Sequence, residues 1–151
     1  MPRTTLVELT NMCMIYDAKG NVLVQDKVGK NIRGLILPGG HIESRESIVD
    51  SVIREVKEET GLTISNLHFC GTKDWVEEDG SRYIVFLYKT NVFKGDIKSS
   101  SEGKVFWMPL EELRQKDTLW HLNMMLDIFC GSEHTELYFD SKKPYLGPIL
   151  K

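Results

Sequence analysis

Between Ser44 and Thr60, the apolar residues Ile48, Val49, Val52, Ile53 and Val56 recur at spacings of three and four, the period of one helix face. The spacing predicts a helix with Ser44 as its N-cap, Glu46 complementing its positive end and Gly61 at the C′ position. Shorter apolar runs broken by turn residues predict strands on either side. Thr5–Tyr16 and Val22-Leu23-Val24 flank the turn cluster Asp17-Ala18-Lys19-Gly20-Asn21 and predict a hairpin. Lys27–Gly34 is polar and reads as a loop into Leu35-Ile36-Leu37, a run that Pro38-Gly39-Gly40 is expected to stop. Leu67–Val76 and Tyr83–Thr90 read as strands about Glu77-Glu78-Asp79-Gly80, Lys104–Met108 as another, and Leu110–Gln115 as a brief helix. Leu119, Leu122, Met125, Leu126 and Phe129 predict a last helix from Asp117 or Thr118 through Cys130, ended by Gly131. Glu136–Phe139 is expected to add an edge strand, and Pro144, Gly147 and Pro148 imply an irregular tail.

Composition narrows the class. With 41% hydrophobic and 27% charged positions in 151 residues, the chain is neither collagen-like, disordered nor a coiled coil, and one domain over residues 1–151 is expected. A domain of this size folds around a single core without staples. Cys13, Cys70 and Cys130 are widely spaced, with no CxxC or Cys/His cluster, and read as buried thiols in a reducing, cytoplasmic compartment. The stretch Met1–Thr10 lacks the apolar core of a leader, and no run approaches the length of a membrane span. At a formal net charge of -3, with Lys and Arg scattered, the chain is not expected to bind a nucleic-acid polymer or a membrane, whereas a single nucleotide fits.

The acidic residues are less evenly spread. At about 100° per residue, Glu55, Glu58 and Glu59 fall within an arc of about 100°, so three carboxylates face one point. Glu59 also projects near Ile48 and Val52, at the margin of the apolar face, where a carboxylate needs a partner. Two readings follow: a solvated acidic face, or a site for a hard cation such as Mg²⁺ or Mn²⁺ that bridges to phosphates.

The surrounding residues weigh on that choice. From Gly40 to Leu62 the chain fits G-x5-E-x7-R-E-U-x-E-E-x-G-U, with U aliphatic, through Gly40, Glu46, Arg54, Glu55, Val56, Glu58, Glu59, Gly61 and Leu62. Such a match would arise by chance about once in ten million chains of this kind, so a solvated face becomes a poor account. This segment resembles the Nudix hydrolase family. The resemblance implies an α/β (α+β) fold, an α/β/α sandwich whose mixed central sheet is flanked by helices. It also implies hydrolysis of nucleoside diphosphates linked to another group, by attack of water on phosphorus with divalent metal bound. Carried onto this chain, Glu55, Glu58 and Glu59 would hold metal with the carbonyl of Gly39, and Arg54 would orient the glutamates by pairing with Glu46. Either Glu55, Glu58 or a loop acid would take the proton from water.

Further along, Glu102 stands on the polar loop Gly95–Gly103, five residues before Trp107. That spacing resembles the loop glutamate that completes the metal shell in the MutT-type branch, which hydrolyses oxidised purine nucleoside triphosphates such as 8-oxo-dGTP. Val22-Leu23-Val24-Gln25-Asp26-Lys27 resembles that branch's second strand and places Lys27 near the triphosphate. His41 stands where the branch often has Lys, and Trp120 falls where its base pocket is walled. Ile36 departs from the polar residue usual there, and the proline and tyrosine signals of the ADP-ribose and dinucleoside-polyphosphate branches are absent. The implied reaction is a Mg²⁺-dependent cleavage of a nucleoside triphosphate to monophosphate and pyrophosphate, by a monomer or homodimer. A nucleotide-sugar pyrophosphatase, or a module that binds a nucleotide without hydrolysing it, would carry the same box.

Overall fold

The computed structural model describes residues 3–151. Met1 and Pro2, the first of the stretch read above as lacking a leader, lie outside the described residues. In chain order the elements are β1 (Val7–Ile15), β2 (Asn21–Gly29), β3 (Ile32–Ile36), β4 (Gly39–His41), α1 (Ile48–Thr60), β5 (Thr63–Ser65), β6 (His68–Val76), β7 (Arg82–Thr90), β8 (Val92–Lys94), β9 (Gly103–Pro109), α2 (Leu110–Leu113), α3 (Leu122–Phe129), β10 (Glu136–Asp140) and β11 (Ile149–Leu150).

Strand β1 shows how the layers form. Its alternation sends Met12 and Met14 to one core and Cys13 and Ile15 to another, so both faces are buried. The first core joins Leu122, Met125, Leu126 and Phe129 of α3 to the sheet, and the second joins Val52 and Val56 of α1. Helices therefore flank a mixed sheet of order β11-β10-β6-β7-β1-β4, in which β1/β7 and β6/β10 run parallel. A second, antiparallel sheet has the order β3-β2-β9, and β5 pairs with β8. This is the α/β/α sandwich that the sequence implied. Among the described residues, no helix is long and apolar enough to cross a membrane.

Several expectations are corrected. The turn at Asp17–Asn21 forms, held by the Asp17 carboxylate accepting from the Lys19 and Asn21 N–H groups, but it does not make a hairpin. Only Tyr16 and Val22 bridge, and the two strands then enter different sheets because each buries both faces against different layers. Lys27–Gly34 is not a loop: β2 and β3 pair through it and reverse at Lys30-Asn31, with Asn31 at φ 74°. Its polarity reflects an exposed hairpin tip. Pro38 does end β3, yet Gly39 and Gly40 at once pair with Met12 and Asn11 in the other sheet.

Helix α1 begins later than predicted. Ser47, rather than Ser44, is the cap, its Oγ accepting from the Asp50 N–H at 3.0 Å, while Gly61 closes the helix at φ 81°. The last helix is also shorter, because Trp120 and His121 adopt left-handed φ of 51° and 62° and α3 starts only at Leu122. Strand β10 is internal, covered by β11. Of the cysteines only Cys13 is buried; Cys70 is half-buried and Cys130 exposed.

Candidate active site

The box assembles where α1 meets β4, and two glycines allow the approach. A Cβ at Gly39 would lie 2.8 Å from the Met12 Cα, so close pairing with β1 requires its absence. At Gly40 a Cβ would lie 2.5 Å from the Glu55 Cδ, so this glycine lets the helix carboxylate rest on the strand. Asn11 ties the layers together: its Nδ2 donates to the Ser51 Oγ on α1 at 2.9 Å, and its Oδ1 accepts from the Gly40 N–H at 3.4 Å.

Glu59 is 3% exposed, and its Oε2 accepts from the Gly39 N–H at 3.1 Å. Burial and then the neighbouring Glu102 carboxyl push its pKa up to about 9. Burial likewise raises Glu55, against the opposing pull of Arg54, with Glu58 and Glu102 adding to the rise. Glu55, Glu59 and Glu102 thus crowd one wall of a cavity of about 800 Å³, which Gly39, Gly40, Lys27, His41 and Trp120 also line. Glu102 is delivered by the β2–β9 edge, where its carbonyl accepts from the Val28 N–H at 2.9 Å.

Arg54 sits behind this wall. Its Nε and Nη2 donate to the two oxygens of Glu46 at 2.7 and 3.0 Å, its Nη1 to Glu55 at 3.0 Å and Glu58 at 3.3 Å, and its Nη2 also to the His41 carbonyl at 3.0 Å. The Arg54 guanidinium in turn holds the Glu46 carboxyl below its ordinary range. Glu58 lies outside the cavity wall, its side chain 59% exposed and turned to Arg54. The His41 Nε2 stands 2.6 Å from the Glu8 carboxylate, which draws the ring toward β1.

Burial first, and then one another's charge, hold Glu55 and Glu59 toward the protonated state, and Arg54 on the far side of Glu55 does not offset it. An all-oxygen donor set fits a hard divalent cation. Among the described residues, no three His, Cys, Asp or Glu side chains already close into a cage, so the site is an open acidic wall. Such a wall leaves positions for water and phosphate oxygens.

Sequence reasoning missed the rest of the cavity. Gln25, 1% exposed, lines it with its Nε2 unpartnered. A polar residue directly following Val22-Leu23-Val24 at a buried position was the available signal. Lys73, Trp75 and Tyr83 line the cavity from the sheet, the last two rings stacked with centroids 4.3 Å apart. Their strands read as a hairpin in the sequence, but that Lys73, Trp75 and Tyr83 share a cavity with the box follows only from the pairing of β7 with β1. Trp120 lies on the irregular segment before α3, 47% exposed, rather than on a helix.

Comparisons with known proteins bear on the family and the fold. The NUDIX domain family model matches residues 8–128. The Nudix hydrolase YvcI of Bacillus subtilis (strain 168) is 33% identical over 116 residues, covering 74% of this chain and 71% of YvcI. Phosphatase NudJ of Escherichia coli (strain K12) is 34% identical over 83 residues, 53% of this chain, and the match spans only 52% of NudJ. The crystal structure of the MutT protein from Bacillus halodurans shares the fold, with a TM-score of 0.74 at 24% identity over 89% of this chain and 92% of that one.

Proposed function

This chain belongs to the Nudix family of phosphoric-anhydride hydrolases, which use divalent metal cations, and from that premise we propose that it is a Mg²⁺-dependent pyrophosphohydrolase converting a nucleoside triphosphate to its monophosphate and pyrophosphate. The observation that carries this reading is the convergence of Glu55, Glu59 and Glu102 on one end of a cavity whose floor bears the stacked Trp75 and Tyr83.

In this reading Glu55, Glu59, Glu102 and the Gly39 carbonyl hold the cation, and Glu58 joins them on turning away from Arg54. Mn²⁺ suits the same donors. When bound, the cation neutralises phosphate oxygens and lowers the pKa of water. The chain's own groups do the remainder. Glu55 or Glu102 accepts the proton of the attacking water, being acids on the cavity wall. Lys27 offers its ammonium to the triphosphate, His41 reaches a phosphate on leaving Glu8, and Arg54 with Glu46 keeps Glu55 in place. Trp120 closes over the base. An oxidised purine is the base proposed, by resemblance to the MutT-type branch.

The test is turnover of dGTP, 8-oxo-dGTP and a nucleotide sugar with and without Mg²⁺, beside Glu55→Gln and Glu59→Gln. Triphosphate hydrolysis that requires the metal and falls about a hundredfold or more in each variant is expected. A preference for the nucleotide sugar, metal-independent turnover, or binding without turnover would overturn it.

A further inference from the structure

Lys73 is the cation of the cavity that the chemistry above does not use. It lies on β6 at 8% exposure, and its Nζ donates to the Trp120 carbonyl at 2.6 Å. The same nitrogen stands 5.4 Å from the centre of the Trp75 ring, whose other neighbour is the stacked Tyr83. The next residue, Asp74, points to the opposite face of the sheet, where Arg82 pairs with it. Among the described residues, no carboxylate lies within ion-pair distance of Lys73. Burial alone holds its pKa down to about 8.

A buried ammonium with one acceptor for three donors is costly unless something else accepts from it. Its place in the sheet says what that is. His41, Thr10, Val85, Lys73 and Leu137 stand directly opposite one another on five consecutive strands, and all line the cavity. Three strand spacings, roughly 14 Å, separate Lys73 from the β4 end where the box carboxylates gather. That is about the reach of a nucleotide from its phosphates to the far edge of its base. Trp75 and Tyr83 supply an aromatic floor beside Lys73, and Trp120 stands at the rim.

Resting on the nucleotide reading of this cavity, we propose that Lys73 is its specificity-determining residue: Nζ donates a free N–H to the O6 acceptor of a 6-oxopurine, which an oxidised and an unoxidised base both present, selecting such nucleotides over adenine nucleotides. Lysine addresses the same O6 acceptor when proteins read guanine in DNA. Adenine presents an amino group where the oxopurine presents O6, and an ammonium cannot accept from it. The Trp120 carbonyl, held by the third N–H, aims the ammonium while leaving the other two donors free.

The experiment compares kcat/KM for ITP and ATP, which share sugar and phosphates and differ only at the six-position edge of the base. Wild type is expected to favour ITP at least about tenfold, the scale of one hydrogen bond to a charged donor. Lys73→Met, with its fold checked by circular dichroism, is expected to bring the ratio within about threefold of one. Equal turnover of ITP and ATP by wild type overturns the inference while leaving the triphosphatase reading intact, and needs no variant to fold. A preference that persists in folded Lys73→Met also overturns it. Absence of turnover with these and with every other nucleoside triphosphate overturns both readings.

Discussion

Two adjacent glycines are expected to fail in different ways when each is given a single methyl. Neither Gly39 nor Gly40 has a left-handed φ, so alanine is conformationally permitted at both and would, in open space, stabilise the chain by about 0.4–1 kcal/mol through its unfolded state. What differs is the neighbour. In Gly40→Ala the new carbon stands 2.5 Å from the Glu55 Cδ and 2.6 and 2.7 Å from its oxygens. An ordinary carbon contact is about 3.5 Å, so the carboxylate must retreat by about 1 Å. Because a side-chain tip moves easily, the melting temperature is expected to stay within about 3 °C of wild type. Displacement of a reacting group by that amount costs on the order of a hundredfold in kcat/KM. In Gly39→Ala the carbon instead meets the Met12 Cα at 2.8 Å and the Asn11 carbonyl carbon at 2.9 Å. Paired backbone cannot step aside, so about 1–3 kcal/mol of stability is lost, or roughly 3–10 °C in a protein of this size. Thermal melts and steady-state kinetics on both variants, run against 8-oxo-dGTP with Mg²⁺, separate the two effects. If Gly40→Ala retains more than about half of wild-type kcat/KM, Glu55 does not belong to the reacting constellation.

Arg54→Lys keeps the charge but loses the paired bonds to Glu46 and the reach to Glu55, so kcat is expected to fall about tenfold or more with KM little changed, measured by steady-state kinetics. Glu59, lifted to about 9 in the fold from a carboxylate's ordinary 4.5, keeps its proton where the unfolded chain has lost it. Its contribution to stability is therefore full below pH 4.5 and lost as pH rises toward 9 in metal-free protein. Urea titrations in EDTA should show that Glu59→Gln loses this decline, and an unchanged slope would count against the burial of this carboxyl. For Lys73 the sign reverses: the cost of burying its charge is full below about pH 8 and relieved as pH rises toward 10.5, so the stability gap between wild type and Lys73→Met should narrow over that range. Trp120→Ala leaves the backbone acceptor of Lys73 in place, and a rise in KM of about tenfold with an unchanged melting temperature is expected from lost stacking.

The box was readable because helical periodicity and loop glycines are local properties. Gly40 to Leu62 encloses its own clamp, with Arg54 and Glu46 eight residues apart and one helix carrying Glu55, Glu58 and Glu59. Boundaries were less legible where two local choices were close in energy. Ser44 and Ser47 are both competent caps, and the left-handed turn at Arg45 decides for the second. Trp120 and His121 carry no local sign that they take left-handed φ; the Lys73 bond to the Trp120 carbonyl, from 47 residues away, helps fix that turn.

Alone, then, the sequence determined the carboxylate end of the cavity, for which metal binding is proposed, since its helix donors are spaced by the pitch of one helix and the glycines that admit them precede it directly. Only the tertiary structure decided the other end. Gln25 comes from a strand that pairs with distant β9, and Lys73, Trp75 and Tyr83 from a hairpin whose flanking strands β1 and β10 lie far off in sequence; a β-strand records which face a residue takes but not which strand will lie beside it. The selectivity proposed for this cavity is for that reason a property of register, and the glutamate box a property of local sequence.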